Sequence, residues 1–143
     1  MLMKKYSTDM KGAKAYGSEL NISRKHAVEI CTAIRGKKLD KAKQFLEDVT
    51  QKKRFVPLHK HKKQVPHRTG GKPGRYPVKA AKAVLKLLEN AENNAENNGM
   101  DGELIVKHAM AKQGRTYDRR APKGRWKVSN IETANIEIIV TEA

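Results

Sequence analysis

Apolar residues at helical spacing predict three amphipathic helices in the first hundred residues. Ser23 is suited to cap the first helix, and Gly36 ends it in a tight turn. The third helix starts at Pro77, a favourable first-turn residue, and is broken by Asn98 and Gly99. The predicted apolar faces of the three helices are Ala27, Val28, Ile30, Cys31 and Ile34; then Leu39, Ala42, Phe45, Leu46 and Val49; and last Val78, Ala81, Val84, Leu85, Leu88, Ala91 and Ala95.

Alternating residues near the C-terminus predict two strands. In the later strand, Ala134, Ile136, Ile138 and Val140 point one way, and Asn135, Glu137 and Thr141 point the other way. In the earlier strand, one face is predicted to consist of Leu104, Val106, His108 and Met110, and the other of Ile105, Lys107, Ala109 and Ala111. We expect the two strands to pair as an antiparallel ladder that packs on the helices.

The segment between these strands predicts a protruding arm. Residues 112–130 are too long for a tight turn and too polar to bury, so the strands are expected to continue beyond the core as a basic hairpin at about 104–140, named here the arm. An isolated hairpin is marginal in water, so the arm needs an external surface to hold its shape. The predicted fold class is α+β, a small antiparallel sheet packed on three helices, with a long protruding basic β-hairpin and a basic loop insertion.

The charge of the chain indicates its class of partner, because the formal net charge of the 143 residues is +16. Residues 49–88 contain twelve Lys and Arg and no Asp or Glu, and a second basic run at 107–127 is relieved only by Asp118. Contacts with phosphate release condensed counterions and remove the self-repulsion, so the predicted partner is a nucleic acid. Membrane binding is the weaker reading, because the basic segments carry no long apolar run.

Length and composition predict a single cytosolic domain with one modest core. Cys31 is the one cysteine, which excludes an internal disulfide and suits a reducing compartment. Residues 1–5 are basic but lack an apolar signal-peptide core. Residues 51–76, named here the insertion, are rich in Pro, Gly and Lys, and we expect the insertion and the arm tip to be disordered in the free protein.

Candidate chemistry other than binding is poorly supported. His59, His61 and His67 with Cys31 offer zinc ligands, but lysines surround the histidines and Cys31 lies on an apolar helix face. The chain has no persuasive nucleophile and base pair, no P-loop and no acidic cluster for magnesium. We therefore predict no enzyme activity, no cofactor and no metal.

The candidate nucleic-acid contacts are the cations of the two basic runs and one aromatic residue. Trp126, between Arg125 and Lys127, can stack on an unpaired base or pack within the arm, and both readings stay open. Tyr76 and Tyr117 present the same two readings. The predicted contact residues are Lys52, Lys53, Arg54, Lys60, Lys62, Lys63, Arg68, Lys72, Arg75, Lys79, Lys112, Arg115, Arg119, Arg120, Lys123, Arg125 and Trp126.

AYGSELNIS at 15–23, GRYPVKAA at 74–81, LENAENNA at 88–95 and IEI at 136–138 are the most specific segments of the chain. Together they resemble the large-subunit ribosomal protein family called L-twenty-two in bacteria and L-seventeen in eukaryotes, in its archaeal or eukaryotic form. The helix pair that runs through Arg35-Gly36-Lys37 contributes to this resemblance, as do Arg120-Ala121 and Gly124-Arg125 in the arm. Pro122 and Lys123 stand between those two pairs, where the family commonly has one residue.

The resemblance implies a small α+β body on large-subunit ribosomal RNA near the exit of the polypeptide tunnel, with the hairpin lining the tunnel. Its implied partners are ribosomal RNA, neighbouring large-subunit ribosomal proteins and the passing nascent chain, in the cytoplasmic ribosome. The insertion matches a segment that bacterial members lack. From the residues alone, two rivals remain, a general DNA-compacting protein and a metal-dependent nuclease.

Overall fold

A computed structural model describes residues 6–120, 123 and 128–143. Its central sheet has three antiparallel strands in the order β1-β5-β4, so the last strand lies in the middle. Three helices pack on this sheet, which confirms the predicted α+β class. The elements in chain order are β1 (Ala13–Leu20), α1 (Arg24–Ile34), α2 (Leu39–Thr50), β2 (Val56–Pro57), β3 (Gly74–Arg75), α3 (Val78–Asn97), β4 (Leu104–Arg120) and β5 (Val128–Glu142).

The three helices form where the apolar spacing predicts them, with local differences. Ser23 precedes α1 in an extended conformation but makes no side-chain cap, and Gly36 follows the helix with a φ of +78°. Val28 is only half-buried, and Glu29 is buried in its place. On α3, Leu87 is buried, whereas Leu85 is only partly covered and packs at the edge of the core.

The strand β1 is absent from the sequence-based prediction. It pairs with β5 from Ala13 opposite Val140 to Gly17 opposite Ile136. Its core-facing residues Ala13, Ala15 and Gly17 are small, so they give little apolar signal. At Gly17 the small residue leaves room for α3, since a Cβ there would come within 2.9 Å of Leu87 Cδ1 and would require that side chain to shift.

The predicted alternation along β4 is wrong beyond Val106. The register against β5 shifts between Val106 and His108, as at a β-bulge. Val106 and Ala109 therefore both join the core, although they are three residues apart. His108 and Met110 lie instead on the opposite face. There His108 contacts the side chain of Glu137, and Met110 contacts that of Ser7.

The β4–β5 ladder extends well past the body, from Leu104 opposite Glu142 to Arg120 opposite Val128. A second register shift lies between Gln113 and Thr116, where Thr133 Oγ1 donates a hydrogen bond to Arg115 O at 2.8 Å. Residues 115–120 and 128–132, named here the distal arm, are all exposed. The predicted contacts Arg125 and Trp126 lie outside the described residues.

A buried carboxylate ties three segments together on the sheet face opposite the helices. Glu137 is 1% exposed. Its oxygens accept hydrogen bonds from Ser7 N at 2.9 Å and from Ser7 Oγ, and they lie 2.9 Å from His108 Nε2 and 3.0 Å from Lys112 Nζ. Burial raises the pKa of Glu137, but these hydrogen bonds outweigh it and hold the pKa at about 2.

The core position of Leu88 gives a first prediction. Leu88 is completely buried, so Leu88→Ala should lower the free energy of unfolding by about 2 to 5 kcal/mol through lost burial and the cavity left behind. Leu85→Ala, one turn earlier and half-exposed, should cost clearly less. Urea unfolding followed by circular dichroism measures both, and equal losses would contradict the assigned packing.

Glu137 gives a second prediction. Because its pKa in the folded state lies below that of the unfolded chain, its stabilisation is present above about pH 4.3 and is lost as the pH falls towards 2. Glu137→Gln should lower the free energy of unfolding by on the order of 3 kcal/mol at pH 7. The variant should also lose less stability than the wild type as the pH falls from about 4.3 to 2. Urea unfolding across this range tests it; parallel pH profiles of the variant and the wild type would be the contrary result.

Candidate nucleic-acid interface

The insertion is attached to the body by buried apolar residues. Val56, Leu58 and Val65 are 0%, 8% and 9% exposed. The short strands β2 and β3 pair at its two ends, and Leu58 N donates a hydrogen bond to Pro73 O at 2.9 Å. The insertion therefore has a defined path in the structure, while its expected disorder in the free protein stays a prediction.

Glu29 on α1 binds the insertion through its side-chain carboxylate. This buried carboxylate accepts a hydrogen bond from Lys60 N at 2.7 Å and lies 3.1 Å from His59 Nδ1. Burial raises the pKa of Glu29, but the hydrogen bonds from Lys60 and His59 hold it below its ordinary value. The sequence-based analysis missed this residue, although a carboxylate inside a predicted apolar helix face is an available signal.

The predicted cations of the insertion lie on its surface. Arg68 is the half-buried exception, since its Nε donates to Gly74 O at 3.1 Å and its guanidinium lies 5.1 Å from the centroid of the Tyr76 ring. Lys79, in the first turn of α3, is also exposed. The exposed cations of the insertion are Lys52, Lys53, Arg54, Lys60, Lys62, Lys63, Lys72 and Arg75.

One aromatic ring brings together a predicted cation and an unpredicted one. The Arg54 guanidinium lies 5.5 Å and Lys37 Nζ 4.4 Å from the centroid of the Phe45 ring. Burial and the charge of Arg54 lower the pKa of Lys37. Cation–π attraction holds both charges at the foot of the insertion, where the turn between α1 and α2 adds to its basic surface.

The arm residues divide into those at its foot and those beyond the body. Lys112 is bound to the buried Glu137, so its charge is already engaged within the protein. Arg115 is exposed and lies 5.2 Å from the Tyr117 ring, whose hydroxyl donates a hydrogen bond to Glu19 at 2.9 Å. The other described predicted contacts of the arm are exposed; they are Arg119, Arg120 and Lys123.

Charge is separated along α3. The helix begins with Lys79, Lys82 and Lys86, and no acidic residue stands in its first turn. Residues 87–106 then contain five acidic residues and no Lys, Arg or His. This acidic end is tied to α2 and its preceding turn by the ion pairs Lys43–Glu92 and Lys38–Glu103. A polyanion is attracted to one end of α3 and repelled from the other.

The candidate zinc ligands are not brought together. Cys31 lies in the core, where burial raises the pKa of its thiol to about 12. His59 faces Glu29, and His67 Nδ1 lies 2.9 Å from Gly71 O. Within 6–120, 123 and 128–143, no three His, Cys, Asp or Glu side chains are placed to hold a metal ion. No helix in that same part of the chain is long and apolar enough to span a membrane.

Known proteins match the sequence of this chain along most of its length. Residues 15–141 match the family described as ribosomal protein L22p/L17e. The proteins named large ribosomal subunit protein uL22 from Archaeoglobus fulgidus and Methanothrix thermoacetophila are 54% and 51% identical, over 80% and 91% of this chain and 77% and 90% of theirs. The protein of that name from Thermoplasma volcanium is 49% identical over 98% of both chains. The chain belongs to the ribosomal protein L22p/L17e family and is similar to archaeal members along most of its length.

Proposed function

We propose that the protein is a structural constituent of the large ribosomal subunit that binds large-subunit ribosomal RNA through its insertion and its arm. The observation that carries the proposal is the separation of charge: residues 49–88 contain twelve Lys and Arg without any acid, whereas residues 89–106 contain five acids and no Lys or Arg. Family membership agrees with a location in the cytoplasmic ribosome and with the absence of enzyme activity.

The whole chain, residues 1–143, acts as one RNA-binding domain in this proposal. Its insertion neutralises phosphates where RNA helices pack together, and neighbouring ribosomal proteins contact the remaining body. RNA is recognised chiefly through its shape, its phosphates and its 2′-hydroxyls, because an A-form helix hides most base edges. The proposed contacts are the exposed cations named above, together with Arg68, while Lys112 contributes mainly by bracing the arm.

The arm is proposed to line the polypeptide exit tunnel, with the body near the tunnel exit. The exposed residues of the distal arm support this, because a two-stranded ribbon without its own core gains stability when a surrounding surface covers it. Arg115, Arg119, Arg120 and Lys123 then face RNA and the passing nascent chain. Arg125 and Trp126, which lie outside the described residues, stay proposed RNA contacts.

Cosedimentation tests this function. Cell extract is fractionated on a sucrose gradient at raised salt, and the protein is followed by mass spectrometry. Near-equal stoichiometry with large subunits is expected, because an arm enclosed by RNA and protein is held sterically even though raised salt weakens each phosphate contact. Recovery with chromosomal DNA would favour a general DNA-compacting protein, and recovery in the soluble fractions would contradict an integral ribosomal role.

A double substitution tests the arm. Arg119→Ala with Arg120→Ala should reduce incorporation into large subunits, while the helical circular dichroism of the free protein stays unchanged, because both residues lie beyond the body. The matched control is Lys11→Ala with Lys41→Ala, which removes two exposed charges outside the insertion and the arm. Equal incorporation of the two variants, or loss of helical signal in the arm variant, would contradict the placement.

A further inference from the structure

A cationic basin lies between α1 and the insertion. Two adjoining clefts form it, and His26 and Arg75 line both of them. No acidic side chain in the described part of the chain lines either cleft. The remaining lining residues are Lys25, Leu58, Lys60 and His61 in the first cleft and Lys52, Pro66, Arg68, Tyr76 and Pro77 in the second.

The walls of the basin are held in place by the protein itself. Glu29 accepts the hydrogen bond from Lys60 N and so fixes the backbone beside the first cleft. In the second cleft, Arg68 is held by Gly74 O and by the face of Tyr76. Cations fixed before binding lose less conformational freedom when a ligand arrives, so this arrangement suits a binding site more than a solvated surface.

The basin concentrates like charges, and the carboxylate beside it, Glu29, is buried and already bound to Lys60 N and His59. His26 is half-buried, and burial and the charge of Arg75 lower its pKa. The charged groups around it are Lys25 on its own helix, Lys60 and His61 from the insertion, and Lys52, Arg68 and Arg75 at the second cleft. An anion in the basin would offset this repulsion and would favour the protonated imidazole.

The start of α3 adds a further attraction for anions. Pro77, which precedes the first residue of α3, lines the second cleft. The N-terminal end of a helix carries partial positive charge and unsatisfied N–H groups that favour phosphate. No acidic side chain in the first turn of α3 competes for that position.

We propose that this basin binds the phosphodiester backbone of RNA, with Arg75 at the centre of the contact and His26 taking up a proton when a phosphate enters. The inference rests on the proposed RNA-binding function and adds a defined site to it. His26 and Lys25, which the sequence-based prediction does not include, become contact residues. The basin positions the RNA backbone jointly with the cations on the outer surface of the insertion.

Salt-dependent binding tests the contact at Arg75. Full-length protein is titrated with in vitro transcribed archaeal large-subunit ribosomal RNA at several salt concentrations. Arg75→Ala should weaken binding and reduce the slope of log K against log salt by about one, as expected for one lost phosphate contact. Lys41→Ala, an exposed cation on α2 that lines neither cleft, is the matched control and should change the slope clearly less.

A pH comparison tests His26. His26→Gln keeps a polar side chain of related size but cannot become positively charged. Wild-type affinity for the RNA should rise more steeply between pH 7.5 and 5.5 than that of the variant, because protonation favours the phosphate-bound state. The other four histidines and the RNA are common to both titrations, so their contributions cancel in the difference.

The outcomes separate the two proposals. If wild-type protein binds the RNA but Arg75→Ala and Lys41→Ala change the slope equally, the basin is not the contact site and the general function stands. If His26→Gln leaves the pH profile unchanged, His26 does not take up a proton on binding and that part of the proposal fails. If wild-type protein shows no salt-dependent binding, both proposals fail. Circular dichroism checks folding, and Lys60→Ala, at an exposed wall residue, replaces Arg75→Ala if that variant is unfolded.

Discussion

Two buried carboxylates hold the basic segments of this protein to its body. Glu29 fixes the insertion, and Glu137 joins the segment around Ser7 to the foot of the arm. A buried charge is costly unless it is fully paired, so each carboxylate requires its partners to remain in place. In a chain with net charge +16, these internal acids supply directed contacts that oppose the tendency of the cationic segments to move away from the body.

Five of the fifteen acids lie within residues 87–106, outside the insertion and the distal arm. Ion pairs such as Lys43–Glu92 keep this acidic segment packed against α2. The family assignment and the electrostatics therefore agree: this chain exposes cations on its insertion and its arm, while its small apolar core, built around residues such as Leu88 and Ile136, holds the two segments to the body.

The sequence was sufficient for features that depend on a repeated period. Helix spacing identified α1, α2 and α3, and alternation identified the pairing of β4 with β5. Strand β1 escaped because residues such as Gly17 are small to admit α3 and therefore carry no apolar alternation. The bulge after Val106 escaped because a register shift depends on the partner strand. Glu29 and the basin around His26 depend on contacts between segments far apart in the chain, which local patterns do not encode.

The charge separation along α3 has a kinetic consequence. A helix with cations in its first half and acids in its second half carries an electric dipole, and the field of a polyanion exerts a torque on it before any contact forms. The basic end is then turned towards the RNA during diffusion, so a larger fraction of encounters begins in a productive orientation. Assembly of this protein gains speed from its acids as well as from its more numerous cations.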